Sequence, residues 1–409
     1  MNEQLIVKNF GPIKDATVDF KRVTVFIGPT GGGKSTLAKL AAIFRDSSYS
    51  EIASGESAKN GCLTDYQLCN FRTSDSAAFF ESRDVKKAIK FDEETVILVL
   101  NKYHDDNVSN EFINSSILLD KATVTLAQAT VEKNELIKDS LLSDVASLLE
   151  KINDSKISRK QIVKDAAFYL HPIYIPSNRA FAAAITSSLA GLMRDDIGLP
   201  KELLNFINHF FQVRNDVNSV EIPFLGVNYF RHDNKDFISF APRESAILLN
   251  ETASGIQSVT PLLVLLEHLS RNTEQAQSFI IEEPELNLYP TAQQGLLNWL
   301  VEKCTKGEND LTLTTHSPYI LSHLNLLLYA YQVAEKHPDR REAVAAIVPE
   351  ASWINPKEFA CYQVENGGVQ SLLDEELGLI DNNELDGLSG DAADAFDNLI
   401  RLSKGFAIK

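Results

Sequence analysis

The run Gly28-Pro29-Thr30-Gly31-Gly32-Gly33-Lys34-Ser35-Thr36 fits G-x-x-x-x-G-K-[ST], and its residue types suit one task, holding phosphate. Glycines let a backbone turn tightly and aim successive N–H groups at anionic oxygens, while the start of a following helix adds partial positive charge. Lys34 can then reach the terminal phosphates of a nucleotide, and the Ser35 hydroxyl can ligate Mg²⁺. Context supports the match. Residues 22–27 (RVTVFI) read as a buried β-branched strand, and LAKLAAIF after Thr36 continues with helical periodicity.

A phosphate cradle alone does not choose among kinases, GTPases and ATPases. The region 250–320 carries that information. Residues 278–283 (SFIIEE) form a short apolar strand ending in two carboxylates. Neighbouring side chains in a strand point to opposite faces, so the pair can divide two tasks. Glu282 is assigned to the metal shell, usually through water, and Glu283 to polarising the attacking water. Alone, an acidic strand end is often just a solvated edge; the upstream phosphate loop favours the functional reading. Pro284 ends the strand, and a helix is expected to begin near Pro290. Residues 310–315 (DLTLTT) read as the next strand, followed by His316-Ser317-Pro318. A histidine one helix beyond the carboxylate strand stands where a γ-phosphate can be sensed, its second ring nitrogen held by a carboxylate or backbone group.

Upstream of the acidic strand, Ala253-Ser254-Gly255-Ile256-Gln257 precedes the apolar helix VTPLLVLLEHL. Ser254 and Gly255 offer a hydroxyl and bare N–H groups at a positive helix end, which is an anion site. Ser-Gly in isolation is a helix N-cap; its place one helix before the acidic strand reverses that preference.

Taken together, the phosphate loop, ASGIQ, IIEEPELNLYP and TTHSPYIL resemble ABC-type ATPase heads, especially the OLD/RecF-like ATPases of bacterial genomes, stand-alone forms included. The opening IVKNFGPIKDATVDF is similar to that group's first hairpin, and residues 173–179 (IYIPSNR) to its Tyr-Ile-Pro segment ending in arginine. ASGIQ stands where LSGGQ does: Ser254, Gly255 and Gln257 match, while Ile256 replaces the second glycine. The resemblance implies an ATPase with ATP and Mg²⁺ as ligands, in which Lys34, Glu283 and His316 are catalytic. It implies an ATP-sandwiched dimer or higher oligomer, with Ser254 contacting the γ-phosphate held by a second copy and residues 285–288 crossing between the two sites. Glu282 departs from the aspartate more frequent at its position, though a longer side chain still reaches through water. OLD-type nucleases carry a C-terminal metal-dependent Toprim domain, and no strand-borne Asp-x-Asp follows His316. The expected output is therefore control of a separate effector, a nuclease or toxin, in antiphage defence.

These residues need a frame that gathers them, and the pattern predicts an α/β P-loop NTPase fold. An ABC-type head is expected, with a mixed central sheet, an antiparallel β-subdomain and an inserted helical lid. The head is assigned to 1–330, with the inserted sheet and lid within 50–250; 331–409 is an extension that completes the head and offers a docking surface. Strands are expected at 94–101 and 116–128, helices over 131–168 and 180–216, β-hairpins over 219–249 and a helix over 317–336. Residues 359–364 read as an edge strand before a turn at Gly367-Gly368. Residues 374–397, with nine acidic and no basic side chains, read as a solvated acidic helix pair.

Composition sets the outer bounds. With 409 residues, 44% hydrophobic and 23% charged, the chain can hold one large domain or two ordinary ones around a sizeable core. No apolar run nears the ~18 residues of a membrane span, and MNEQLIVKNF carries no export signal, so the cytoplasm is the expected compartment. Cys62, Cys69, Cys304 and Cys361 lack metal-ligand spacing and are expected as reduced thiols. A net charge of −17 opposes a duplex-DNA footprint. That disfavours the alternative, a RecF/SMC-like DNA-repair ATPase that binds DNA directly. The motor subunit of an ABC transporter is disfavoured too, since it needs a membrane partner and a closer LSGGQ match.

Overall fold

The computed structural model describes residues 3–46, 63, 66–68, 71, 76–81, 85–90, 98–101, 171–185, 198–240, 245–271, 276–381, 396 and 399–400. The strands expected at 116–128, the helices at 131–168 and most of 382–397 lie outside the described residues, as do Cys62 and Cys69.

β1 (Glu3–Phe10) and β2 (Ile13–Phe20) form the opening hairpin, and β3 (Val23–Ile27) leads to α1 (Lys34–Arg45). β4 (Ala77–Glu81), β5 (Val85–Lys90) and β6 (Leu98–Asn101) extend the hairpin into a five-stranded antiparallel sheet of order β2-β1-β4-β5-β6. After β7 (His171–Ile175) and α2 (Lys201–Val213), the hairpins expected at 219–249 appear as β8 (Ser219–Ile222), β9 (Val227–His232), β10 (Lys235–Phe240) and β11 (Ala246–Leu248). They make a second antiparallel sheet.

The central sheet is mixed. β12 (Gln277–Glu282), β13 (Asp310–Thr314), β14 (Phe359–Glu365) and β15 (Gly368–Ser371) join β3 and β7 in the order β15-β14-β3-β13-β12-β7. Every pairing is parallel except the β14–β15 hairpin. Parallel strands covered on both faces read as continuous apolar runs, and all residues of β3, β12 and β13 are buried. Successive side chains still alternate. Val25, Ile281 and Leu313 face α2 together with α3 (Ser254–Leu269), α4 (Pro290–Cys304) and α5 (Pro318–Lys336). Phe26, Tyr174, Ile280 and Tyr362 face α1 and the five-stranded sheet. Among the described residues no helix is long and apolar enough to cross a membrane.

Two expectations are corrected. Residues 359–364 are not an edge: β14 lies between β3 and β15, with all six of these residues buried. The turn at Gly367-Gly368 is present, but it folds back β15, and that strand takes the edge. The start of the acidic segment is a ladder, not a helix, because Leu373–Asp374 pairs with Leu379–Ile380. The Asp374 carboxylate accepts from the Glu376 and Leu377 N–H groups at 2.8 Å each, a local side-chain turn that competes with helix.

Candidate functional site

Parallel pairing of β3, β13 and β12 brings their carboxyl ends side by side, the end of an open α/β sheet where ligands bind. The phosphate loop leaves β3 there. Gly28 has φ 137, and a Cβ on it would strike the Val364 carbonyl of β14, so the loop runs hard against a strand that only glycine can approach. Pro29, Thr30 and Gly31 are exposed, and the Gly32 N–H donates to Pro29 O at 3.1 Å. Gly33 is the left-handed N-cap of α1 and supplies no side-chain acceptor, which leaves the first helical N–H groups for an anion. Ser35 is exposed beside them; Thr36 is buried. Lys34 is buried and folded back, its Nζ donating to Gly28 O and Pro29 O at 2.9 Å each. Burial lowers its pKa, and Glu283, Glu282 and Glu285 oppose the shift.

At the end of β12 the two carboxylates part company, though not by strand alternation. Glu282 is the last strand residue and follows Ile280 to the α1 side, where its Oε2 accepts from the Ser177 N–H at 3.3 Å. Among the described residues its buried Oε1 has no donor in hydrogen-bonding geometry. Burial and the adjacent Glu282 carboxylate push the Tyr174 phenol well above its ordinary range. Glu283 leaves the strand with φ 41, and its N–H donates to Thr314 O at 2.9 Å. A left-handed residue other than glycine costs roughly 1–2 kcal/mol, so the turn must be held. The Glu283 Oε1 lies 3.4 Å from His316 Nε2, both side chains being about one-third exposed (30% and 33%).

Three residues without an assigned chemical role brace this pair. Arg179, 0% exposed, stands in the 3-10 turn Ser177–Ala180 and donates to Glu282 O at 2.7 Å, Glu283 O at 2.8 Å, Pro284 O at 3.0 Å and Pro176 O at 3.2 Å. Burial lowers its pKa to about 10, and the three glutamates oppose the shift. Hydrogen bonds to a charged group contribute about 1.5–3 kcal/mol each, enough for four of them to offset a desolvation penalty of several kcal/mol. The guanidinium stays charged. Glu285, in the segment that the resemblance has crossing between two sites, turns its buried carboxylate inward. Its Oε1 accepts from Thr315 Oγ1 at 2.6 Å and from His316 N at 3.1 Å. Gln293 of α4 accepts from Ser317 Oγ at 2.5 Å and donates to Leu288 O at 3.0 Å. Arg179 has a sequence signal in its place after Tyr-Ile-Pro, but its targets are carbonyls, which no motif marks.

The ASGIQ segment is placed differently. Ser254 is exposed at the first turn of α3. A Cβ on Gly255 would lie 2.6 Å from Asn287 O, so α3 abuts the 285–288 segment. The Gln257 amide donates to Thr252 O at 2.7 Å and Asn250 O at 3.1 Å, bracing the turn before its own helix. Among the described residues, no hydrogen bond joins Ser254, Gly255 or Gln257 to the phosphate loop. The structure therefore groups Lys34, Glu282, Glu283 and His316 and leaves the ASGIQ residues outside that group.

The donor set suits a nucleotide carrying Mg²⁺: uncapped N–H groups at α1, an exposed Ser35 hydroxyl, and a buried Glu282 oxygen with no donor in hydrogen-bonding geometry among the described residues. Fold and site together define a class, an α/β P-loop ATPase domain with a mixed central sheet and accompanying antiparallel strands. The chain belongs to the AAA ATPase domain family (AAA_15), whose sequence profile matches residues 1–178 and 82–321. No curated protein matches it. Among solved structures it is similar to the SMC head domain from Thermotoga maritima (TM-score 0.40, 11% identity, covering 91% of this chain and 98% of that one). It is also similar to the Smc head domain with a coiled coil and joint derived from Pyrococcus yayanosii (TM-score 0.37, 10% identity, 92% and 97%). A third is the recombination mediator protein RecF-ATPrS in the RecFOR pathway (TM-score 0.36, 11% identity, 91% and 98%).

Proposed function

We propose that the chain binds MgATP and hydrolyses it as an ABC-type, OLD-like ATPase, and that copies pairing around the nucleotide switch a separate effector in antiphage defence. The observation that carries the ATPase reading is the grouping of Lys34, Glu282, Glu283 and His316 at the ends of adjacent strands. In this reading residues 28–36 cradle the phosphates, and Lys34 exchanges its own loop carbonyls for phosphate oxygens. Ser35 and Glu282 are the residues that would hold Mg²⁺, which when bound neutralises phosphate charge. Glu283 accepts the proton of the attacking water at Oε1, and His316 donates to the terminal phosphate. Positioning and charge stabilisation then supply the catalysis.

Pairing is supported by the exposed Ser254 at the positive end of α3, free of bonds to its own phosphate loop. Gly255 contributes close packing and Gln257 bracing, so both act on a partner's nucleotide through Ser254. The segment beyond residue 330 completes the head in this reading, since β14 pairs with β3 and floors the phosphate loop. A nuclease or toxin as effector, in the cytoplasm, rests on the resemblance to stand-alone OLD-type ATPases. The charge of −17 supports a protein partner over DNA.

The test combines Mg²⁺-dependent ATP turnover of wild type and Lys34→Ala with co-purification of the products of neighbouring genes, with and without ATP. Turnover abolished in Lys34→Ala, and a partner retained with ATP, support the reading. A chain that runs alone and binds DNA in an ATP-stimulated, salt-dependent way points instead to the DNA-repair alternative.

A further inference from the structure

Arg179 is buried at the back of the acidic turn, and all four of its acceptors are backbone carbonyls. Three belong to consecutive residues, Glu282, Glu283 and Pro284. A buried guanidinium ordinarily meets a carboxylate. Here its planar fork is fitted to the chain path, so what it fixes is backbone geometry. The turn needs such a clamp. Glu283 sits at φ 41; its N–H bonds Thr314 of the next strand, and its carbonyl also accepts from the Leu286 N–H at 3.1 Å. The clamp reaches the far side of the same peptide groups. Lysine gathers its three N–H donors on one nitrogen and lacks the planar two-nitrogen fork that reaches along the chain.

We propose that Arg179 is a positioning residue for ATP hydrolysis, holding the 282–284 backbone in the left-handed turn that presents Glu283 to the attacking water. The role rests on the ATPase reading given above. Among the described residues Arg179 makes no hydrogen bond to the phosphate loop, so it acts on turnover and leaves nucleotide affinity alone.

Arg179→Lys and Arg179→Ala are compared with wild type for ATP affinity, nucleotide sites per folded chain and single-turnover hydrolysis, each with and without dilute guanidinium. The expected result is affinity within about threefold, and hydrolysis per site reduced on the order of 100-fold in both variants. Added guanidinium should return roughly tenfold of that loss to Arg179→Ala and nothing to Arg179→Lys, whose side chain fills the cavity. If Arg179→Ala fails to fold, Arg179→Lys decides. A lysine variant hydrolysing at the wild-type rate per site overturns the role, as does a loss of affinity in proportion to turnover. A wild type that binds ATP and never hydrolyses it overturns the ATPase reading and this role together; an active wild type with an active lysine variant overturns this role alone.

Discussion

The His316 imidazole and the Glu283 carboxylate face each other at 3.4 Å, and the backbones presenting them are tied together. Glu283 N–H donates to Thr314 O at 2.9 Å, and the Glu285 carboxylate gathers His316 N–H and the Thr315 hydroxyl. The ends of β12 and β13 are thereby one unit. A proposed base and a proposed phosphate sensor on that unit shift together, so disturbing either loop disturbs both.

His316→Ala removes the side chain that faces Glu283 and, in the proposed mechanism, the γ-phosphate. Single-turnover hydrolysis should slow on the order of 100-fold while ATP affinity changes only a few-fold. Rapid-quench measurement on pre-bound ATP reads the step directly. An alanine variant that keeps the wild-type rate would remove His316 from the mechanism.

Glu285 is a bracing residue, and the two obvious substitutions should separate. Glu285→Ala leaves the buried Thr315 hydroxyl and the partly buried His316 N–H without their acceptor, at about 1–3 kcal/mol for a fully buried group and less for the other. Glu285→Gln keeps an oxygen in place, and burial already pushes the Glu285 carboxyl toward its neutral form. Urea unfolding should show Glu285→Ala destabilised by roughly 2–4 kcal/mol and Glu285→Gln near wild type. Equal losses in both would mean that charge, and not hydrogen bonding, is what matters there.

Gly255→Ala tests the contact between α3 and the 285–288 segment. The added Cβ would lie 2.6 Å from Asn287 O and 3.1 Å from Leu288 Cδ2, and a backbone carbonyl cannot simply swing away. Overpacking of this kind costs about 1–3 kcal/mol. Turnover should fall along with stability, because the displaced segment continues into the Glu283 turn. Unchanged denaturation and unchanged turnover would show that the two elements are not coupled.

The pH dependence of nucleotide binding follows from Lys34. Burial lowers its pKa from the ordinary lysine value, and bound phosphates must raise it again. Below the ordinary lysine range, ATP binding should take up a proton and weaken as pH rises. Free-protein stability has the opposite sign. Between the lowered folded pKa and the ordinary unfolded one, the unfolded chain binds more protons, so stability rises with pH. Calorimetric titration in two buffers of different ionisation heat measures the uptake; proton release on binding would contradict the assignment of Lys34.

The sequence displayed the phosphate loop and the acidic strand end because their signals are local. Glycines at fixed spacing, an apolar strand and a following helix are all visible within about a dozen residues. The left-handed turn at Glu283 was not visible. It depends on Arg179, which lies 103 positions from Glu282 and donates to carbonyls, groups that every residue carries. The bracing role of Glu285 was hidden for a similar reason, since nothing in PELNL shows that the Thr315 hydroxyl will donate to its carboxylate. The edge reading of residues 359–364 fails because FACYQV reveals burial but not which strands flank it. In the central sheet its neighbour is β3, the strand that delivers the phosphate loop.

Glu283→Gln bears most directly on the proposed mechanism, because it removes water activation and leaves the phosphate cradle intact. Bound nucleotide, multiple-turnover hydrolysis and molecular mass should be measured together, with and without MgATP. The expected result is ATP retained at one per chain, turnover reduced at least on the order of 100-fold, and a larger species that persists only with MgATP. Wild-type turnover in Glu283→Gln would contradict Glu283 as the base that activates water.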